Sequence, residues 1–163
     1  MLPPDQRSLA DARAIARLLL TKAARRTRRD NFYATNLYLW LRGYERGWGE
    51  ILALPQVNDD YAVLAGFNAL WARLTPILPP RIQILRVGVT LGDLVPATAR
   101  QLDLFLSDDV ERQRAERLGL VMDGLNSKYG RTVVSVGPWL PPKGGNIGGK
   151  ISFTRIPSAA DFW

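Results

Sequence analysis

The residues able to do chemistry in this 163-residue chain are its arginines and carboxylates, because it contains neither cysteine nor histidine. That removes disulfides, thiol nucleophiles, Cys/His zinc sites, Ser-His-Asp triads and imidazole proton shuttles. Two adjacent carboxylate pairs remain, Asp59-Asp60 and Asp108-Asp109. Both stand where helix N-termini are expected, so they read as helix caps rather than as a metal or acid–base site. Neither catalysis nor a cofactor is expected of this chain alone.

The cations are more telling. Lys and Arg total 22 against 15 Asp and Glu, a net charge of +7, and all but Lys22, Lys128, Lys143 and Lys150 are arginine. A planar guanidinium pairs with phosphate through two parallel hydrogen bonds, so an anionic partner is indicated. Nucleic acid comes first and an anionic membrane surface second. Apolar runs are a few residues long, too short to span a bilayer, and the Met-Leu-Pro-Pro-Asp start lacks the features of a signal peptide. A soluble, cytoplasmic protein is expected, and its 47% apolar content suits a chain that folds around a core.

Elements must hold these groups in place. Ser8 and Asp11 form a capping-box-like start to a helix over residues 9–28, with Leu9, Ala12, Ile15, Ala16, Leu19, Leu20 and Ala23 on one face. It ends in Lys22, Arg25, Arg26, Arg28 and Arg29, more cations than a helix dipole requires. From 33 to 42 the period becomes two: Tyr33, Thr35, Leu37, Leu39 and Leu41 on one face, Asn36, Tyr38, Trp40 and Arg42 on the other. A turn leads to a second strand over 48–54, stopped by Pro55. Asn58, Asp59 and Asp60 start a second helix with Leu64, Phe67, Trp71 and Leu74 inward, closed by Pro76. A third strand over 82–91 should turn Leu85, Val87, Val89 and Leu91 inward and Ile84, Arg86, Gly88 and Thr90 outward.

Helix, strand, strand, helix, strand predicts an α+β fold, an antiparallel sheet with two helices on one face. The uncovered face would show Asn36, Tyr38, Trp40, Arg42, Arg86 and the bare backbone at Gly88. Basic and aromatic groups on an open sheet suit a nucleic acid, and a merely solvated face is the alternative. Residues 92–109 read as a polar connector. A third helix then follows, capped by Asp108 or Asp109, with Leu118, Val121, Met122, Leu125 and Tyr129 as its apolar stripe and Gly130 as its stop. Short strands over 131–136 and 150–156 flank a Pro/Gly-rich loop.

Residues 1–105 resemble the little finger, the polymerase-associated domain of Y-family translesion DNA polymerases. The likeness rests on Leu2-Pro3-Pro4, the hairpin with Trp48, Leu54-Pro55, Asn58-Asp59-Asp60, and Ile84-Leu85-Arg86-Val87-Gly88-Val89-Thr90 followed by Leu94. Gln101-Leu102-Asp103-Leu104-Phe105 is the strongest single match, since it looks like the pentapeptide by which bacterial replication proteins dock on the sliding clamp. Residues 110–163, with Lys128-Tyr129-Gly130-Arg131 and Lys150-Ile151-Ser152-Phe153-Thr154-Arg155-Ile156-Pro157, are similar to the extension of UmuC-like and DinB-like members. This divides the chain into a little-finger domain (1–95), a connector carrying the clamp motif (96–109) and a small α/β extension (110–163).

The resemblance implies a C-terminal part that binds primer-template DNA through backbone phosphates without reading sequence and tethers the polymerase to the clamp during damage tolerance. It would assign DNA contacts to Asn36, Tyr38, Trp40, Arg42, Arg86 and Gly88, with Arg25 and Arg26 as further candidates, and clamp docking to Gln101, Leu102, Asp103, Leu104 and Phe105. Polymerase chemistry, with its Mg²⁺, belongs in this family to palm carboxylates that the chain lacks. A clamp-binding interaction module of a catalytically inactive paralogue, bridging to other mutagenesis proteins, is the alternative. An RNA-binding sheet ranks lower, because the strands lack the Gly-and-aromatic signature of an RRM. The family's first strand is largely missing, which leaves a sheet edge open or filled by the tail or another chain.

Overall fold

A computed structural model describes residues 1–100 and 109–137. Ser8 opens α1 (Leu9–Arg29): its hydroxyl oxygen accepts from the Asp11 amide at 3.1 Å, and the hydroxyl donates to the Asp11 carboxylate. Ala12, Ile15, Ala16, Leu20 and Ala24 bury the helical stripe. Asn31, at a φ of 57°, turns the chain into β1 (Phe32–Arg42), which pairs antiparallel with β2 (Gly47–Val57). The Asp59 carboxylate accepts from the Ala62 amide at 2.9 Å and caps α2 (Asp60–Leu74), which buries Leu64, Phe67, Leu70, Trp71 and Leu74. Next come β3 (Arg86–Gly92) and the two-residue β4 (Val95–Pro96), and then α3 (Asp109–Tyr129).

The sheet is antiparallel in the order β2-β1-β3, with β4 beside the start of β1. Leu37, Leu39 and Leu41 of the central strand point at α1 and α2, and their side chains with Leu20, Phe67, Leu70 and Val63 make the core. The first two helices pack on that one side, α1 over β3 and α2 over β2. The fold is therefore α+β, a four-stranded antiparallel sheet packed with helices and extended by a C-terminal helix.

Five expectations need correction. The β1–β2 register slips between Ala34 and Asn36, so Ala34 is buried, and Tyr33 and Thr35 do not share the face of Leu37. β2 does not stop at Pro55 but continues to Val57, because an edge strand tolerates a residue without an N–H and the irregularity absorbs Gln56 at a φ of 49°. β3 starts at Arg86 rather than 82, and Ile84 is buried rather than outward. The cause is local pairing: the Ile84 amide donates to Arg7 O (2.8 Å), the Leu85 amide to Arg42 O and the Leu2 amide to Leu85 O (both 2.7 Å). Residues 131–136 form no strand, since the Asn126 side chain satisfies this backbone instead, accepting from the amides of Val133 (2.7 Å) and Val134 (3.0 Å) and donating to Val134 O. Finally, of the α3 stripe only Met122 is buried, and Leu118, Val121, Leu125 and Tyr129 are exposed.

What holds α3 is mainly polar. Arg28 of α1 is 4% exposed and forks onto Asp123 of α3, with Nε–Oδ2 at 2.7 Å and a second bond at 2.9 Å. Its remaining nitrogen reaches Asp60 Oδ1 (2.8 Å) and Asn58 O (2.7 Å). At the other end Glu116 pairs with Arg100 at 2.8 Å, and that guanidinium lies 4.2 Å from the Tyr33 ring centroid. Gly130, at a φ of 61°, ends the helix as the sequence predicts.

Candidate nucleic-acid interface

No described residue covers the side of the sheet away from α1 and α2. Strand alternation sends Asn36, Tyr38, Trp40 and Arg42 of β1 to this side, and register fixes their neighbours. Arg42 is opposite Gly47 and Arg86, Trp40 opposite Gly49 and Gly88, Tyr38 opposite Ile51 and Thr90, and Asn36 opposite Ala53 and Gly92. No carboxylate occupies any of these positions. The upper end forms a depression of about 810 Å³, lined by Tyr38, Trp40, Arg42, Tyr44, Trp48 and Arg86 among others.

The glycines explain its shape. A Cβ at Gly88 would lie 2.3 Å from the Trp40 indole nitrogen, and one at Gly49 would lie 2.6 Å from the Tyr38 hydroxyl. A Cβ at Gly47 would sit 3.6 Å from Arg42 Cδ. The large side chains of the central strand thus lie down across glycines of the flanking strands, and the face is shallow. Gly88 is therefore roofed by an indole rather than offering the bare backbone expected from sequence.

Electrostatically the face has a direction. Arg42 and Arg86 are directly cross-strand and exposed, an unfavourable like-charge pair that an anion would relieve. At the opposite end Asn36 donates to the Asp93 carboxylate, and the Thr35 hydroxyl to Asp93 O at 3.0 Å. Asn36 therefore lies at the far end of the face from the arginines.

Arg25 and Arg26 are elsewhere, on α1 in the helix layer behind the sheet. Arg25 lines a larger cleft of about 1010 Å³ with Arg13, Arg17, Lys22, Asp60 and Asp123. Burial lowers the pKa of Lys22 and of Arg25, and neighbouring arginines lower both further, while Asp123 partly compensates at Arg25. Burial also works against the charge on Arg28, but hydrogen bonds and ion pairs with Asp123 and Asp60 outweigh it and raise its pKa. The cleft mixes cations with carboxylates; the arginine end of the sheet face is lined by cations without carboxylates and is the better anion surface.

The structure gathers Tyr38, Trp40, Arg42, Arg86 and Gly88 at one end of the face and separates Arg25 and Arg26 from them. Gln101, Leu102, Asp103, Leu104 and Phe105 lie outside the described residues, as do the predicted strand over 150–156 and the loop before it. Sequence reasoning missed Gly47, Gly49 and Ile51 as parts of the face. The signal was present in Gly47/Gly49 and Gly88/Gly92, glycines spaced by two or four along strands, hence on one side.

The α+β fold, with two arginines side by side on a sheet face that no described residue covers, is that of a small domain with a surface suited to anions. The chain belongs to the impB/mucB/samB C-terminal domain family, the little finger of Y-family polymerases, whose family model matches residues 1–104. Over 134 residues it is 33% identical to the DNA polymerase IV of Moorella thermoacetica, a stretch covering 82% of this chain and 32% of that protein. The chain thus spans about a third of the relative's length. No solved structure matches it.

Proposed function

We propose that this chain is the DNA-holding, C-terminal part of a Y-family DNA polymerase acting in damage tolerance in the cytoplasm. Its open sheet face would grip backbone phosphates without reading sequence. The observation that carries this reading is the acid-free end of the face, where Arg42 and Arg86 stand side by side. Nucleotidyl transfer and its Mg²⁺ are assigned to a palm outside this chain. The carboxylates here do not fit a metal: Asp59 caps α2, Asp60 pairs with Arg28, and no three ligating side chains assemble among the described residues. Nor is any helix among those residues long and apolar enough to cross a membrane.

Fluorescence anisotropy with primer-template DNA over a salt series tests the reading. Each arginine that neutralises a phosphate contributes about 0.9 to the log–log salt slope, so Arg42→Ala and Arg86→Ala should each flatten it by about that amount. A slope unchanged in both variants would remove the sheet-face reading.

Residues 101–105 are proposed as the tether to a bacterial sliding clamp, with Leu104 and Phe105 as the buried anchors. Burying two such side chains contributes roughly 1.5–3 kcal/mol each before ordering costs, part of the roughly 8 kcal/mol that a micromolar affinity requires, with Leu102 and Gln101 left to supply the rest. In a clamp pull-down the parent chain should be retained and the Leu104→Ala, Phe105→Ala double variant lost. Equal retention of both sinks the tether.

A further inference from the structure

The apolar stripe that the fold leaves exposed on α3 has a spacing and a charge pattern of its own. Leu118 (40% exposed), Val121 (60%), Leu125 (39%) and Tyr129 (58%) follow one another at three or four residues. On a helix they fall within an arc of about 80°, along roughly three turns. Arg114, Arg117 and Lys128, also exposed, stand in or beside that arc. No carboxylate on this stretch answers them. Between Arg112 and Gly137 the acids are Glu116 and Asp123, and both face the opposite side of the helix, where Arg100 and Arg28 hold them.

An exposed apolar row marks a surface that something covers, and charge separates the occupants. Residues 138–163 carry Lys143, Lys150 and Arg155 against one acid, Asp161, so the rest of this chain has the wrong sign. A second copy would set the same three cations against themselves. A DNA backbone answers the cations but offers Leu118, Val121 and Leu125 little apolar surface to bury against. An acidic protein segment answers both, and a spacing of three and four residues is the one into which a second helix packs. We infer that the outer face of α3 is a docking seam for an acidic amphipathic helix of a partner protein. The partner's apolar stripe covers Leu118, Val121, Leu125 and Tyr129, and its Asp and Glu side chains pair with Arg114, Arg117 and Lys128. The seam is on the extension, not on the sheet, and does not depend on the DNA-binding reading.

The test uses the full chain and two synthetic helical peptides of about five turns. Both carry Leu at alternating spacings of three and four; one has Glu on both borders of the stripe and the other has Lys there. By fluorescence anisotropy the Glu peptide should bind at least about tenfold tighter than the Lys peptide. Arg114→Glu with Arg117→Glu and Lys128→Glu should invert that preference, an outcome that misfolding cannot produce. Because the chain has no cysteine, Val121→Cys puts one thiol reporter in the seam, and Leu120→Cys, at an equally exposed position off the seam, is its control. Without peptide a maleimide should label both at similar rates. The Glu peptide should slow labelling of Val121→Cys alone, and neither the Lys peptide nor duplex DNA should slow either. Equal affinity for the two peptides, or protection by duplex, overturns the seam. Slow labelling of Val121→Cys with no peptide present also overturns it, because the chain's own tail or a second copy then covers the row; a rate that falls with chain concentration identifies the second copy.

Discussion

At Gly88 the absence of a side chain is what lets Trp40 lie flat across the sheet. Alanine there would put its Cβ 2.3 Å from the indole nitrogen, closer than real contacts allow. Trp40 is only half-buried, so it can swing towards solvent, and the expected penalty lies in the sheet face rather than in the fold. Gly88→Ala should red-shift Trp40 emission and weaken DNA binding with little change in melting temperature. Gly92→Ala is the contrast, because its Cβ would meet only Asn36 Cβ at 3.9 Å. Removing a strand glycine without a clash should stabilise the domain by roughly 0.5–1 kcal/mol and leave emission unchanged. Thermal melts and fluorescence of the two variants check the pair. At this scale the outward set of β1 was legible from alternation alone. What the glycines do was not, since it depends on which residues the register sets opposite one another.

Among the elements, the two core helices and the hairpin were written plainly, because each buries a stripe whose spacing matches its own period. The third helix was not. Its apolar spacing announced a helix but said nothing about which face finds a neighbour, and the contacts that dock it lie 95 residues apart in sequence, between Arg28 and Asp123. Likewise β4 pairs through two residues only, and a single asparagine takes the place of the expected strand partner for 131–136. Asp123→Ala should therefore act locally. It leaves Arg28 with Asp60 but strips two charge-assisted bonds from α3, a loss of about 1.5–3 kcal/mol each before relaxation, since Asp123 is partly exposed. Hydrogen exchange should show α3 amides losing protection while those of Leu37, Leu39 and Leu41 keep theirs. Uniform loss across the sheet would mean that α3 folds as one unit with the core.

Taken whole, the molecule's basic excess has a location. Residues 1–100 carry 14 cations and 8 acids, and residues 101–163 carry 8 and 7, so the asymmetry was legible in the sequence. Its division between two sides was not, because a run such as Arg25–Arg29 gives no hint that one member is interior. In the fold Arg28 is buried in ion pairs, Arg29 pairs with Asp30 at 3.0 Å, and Arg25 and Arg26 sit in the helix layer. A DNA backbone lying along the sheet face is separated from that layer by the sheet and core. At 0.1 M salt the screening length is about 10 Å, comparable with the distance between packed layers. Arg25→Ala with Arg26→Ala should therefore leave the salt slope of DNA binding within about 0.3 of the parent, a third of the change expected for a single phosphate contact. At low ionic strength, where the field reaches further, the same variant should associate more slowly. Stopped-flow association at two salt concentrations, beside the equilibrium series, separates the two effects. A slope reduced by about 1.8 would instead place both arginines on phosphates and require DNA to wrap around the helix layer.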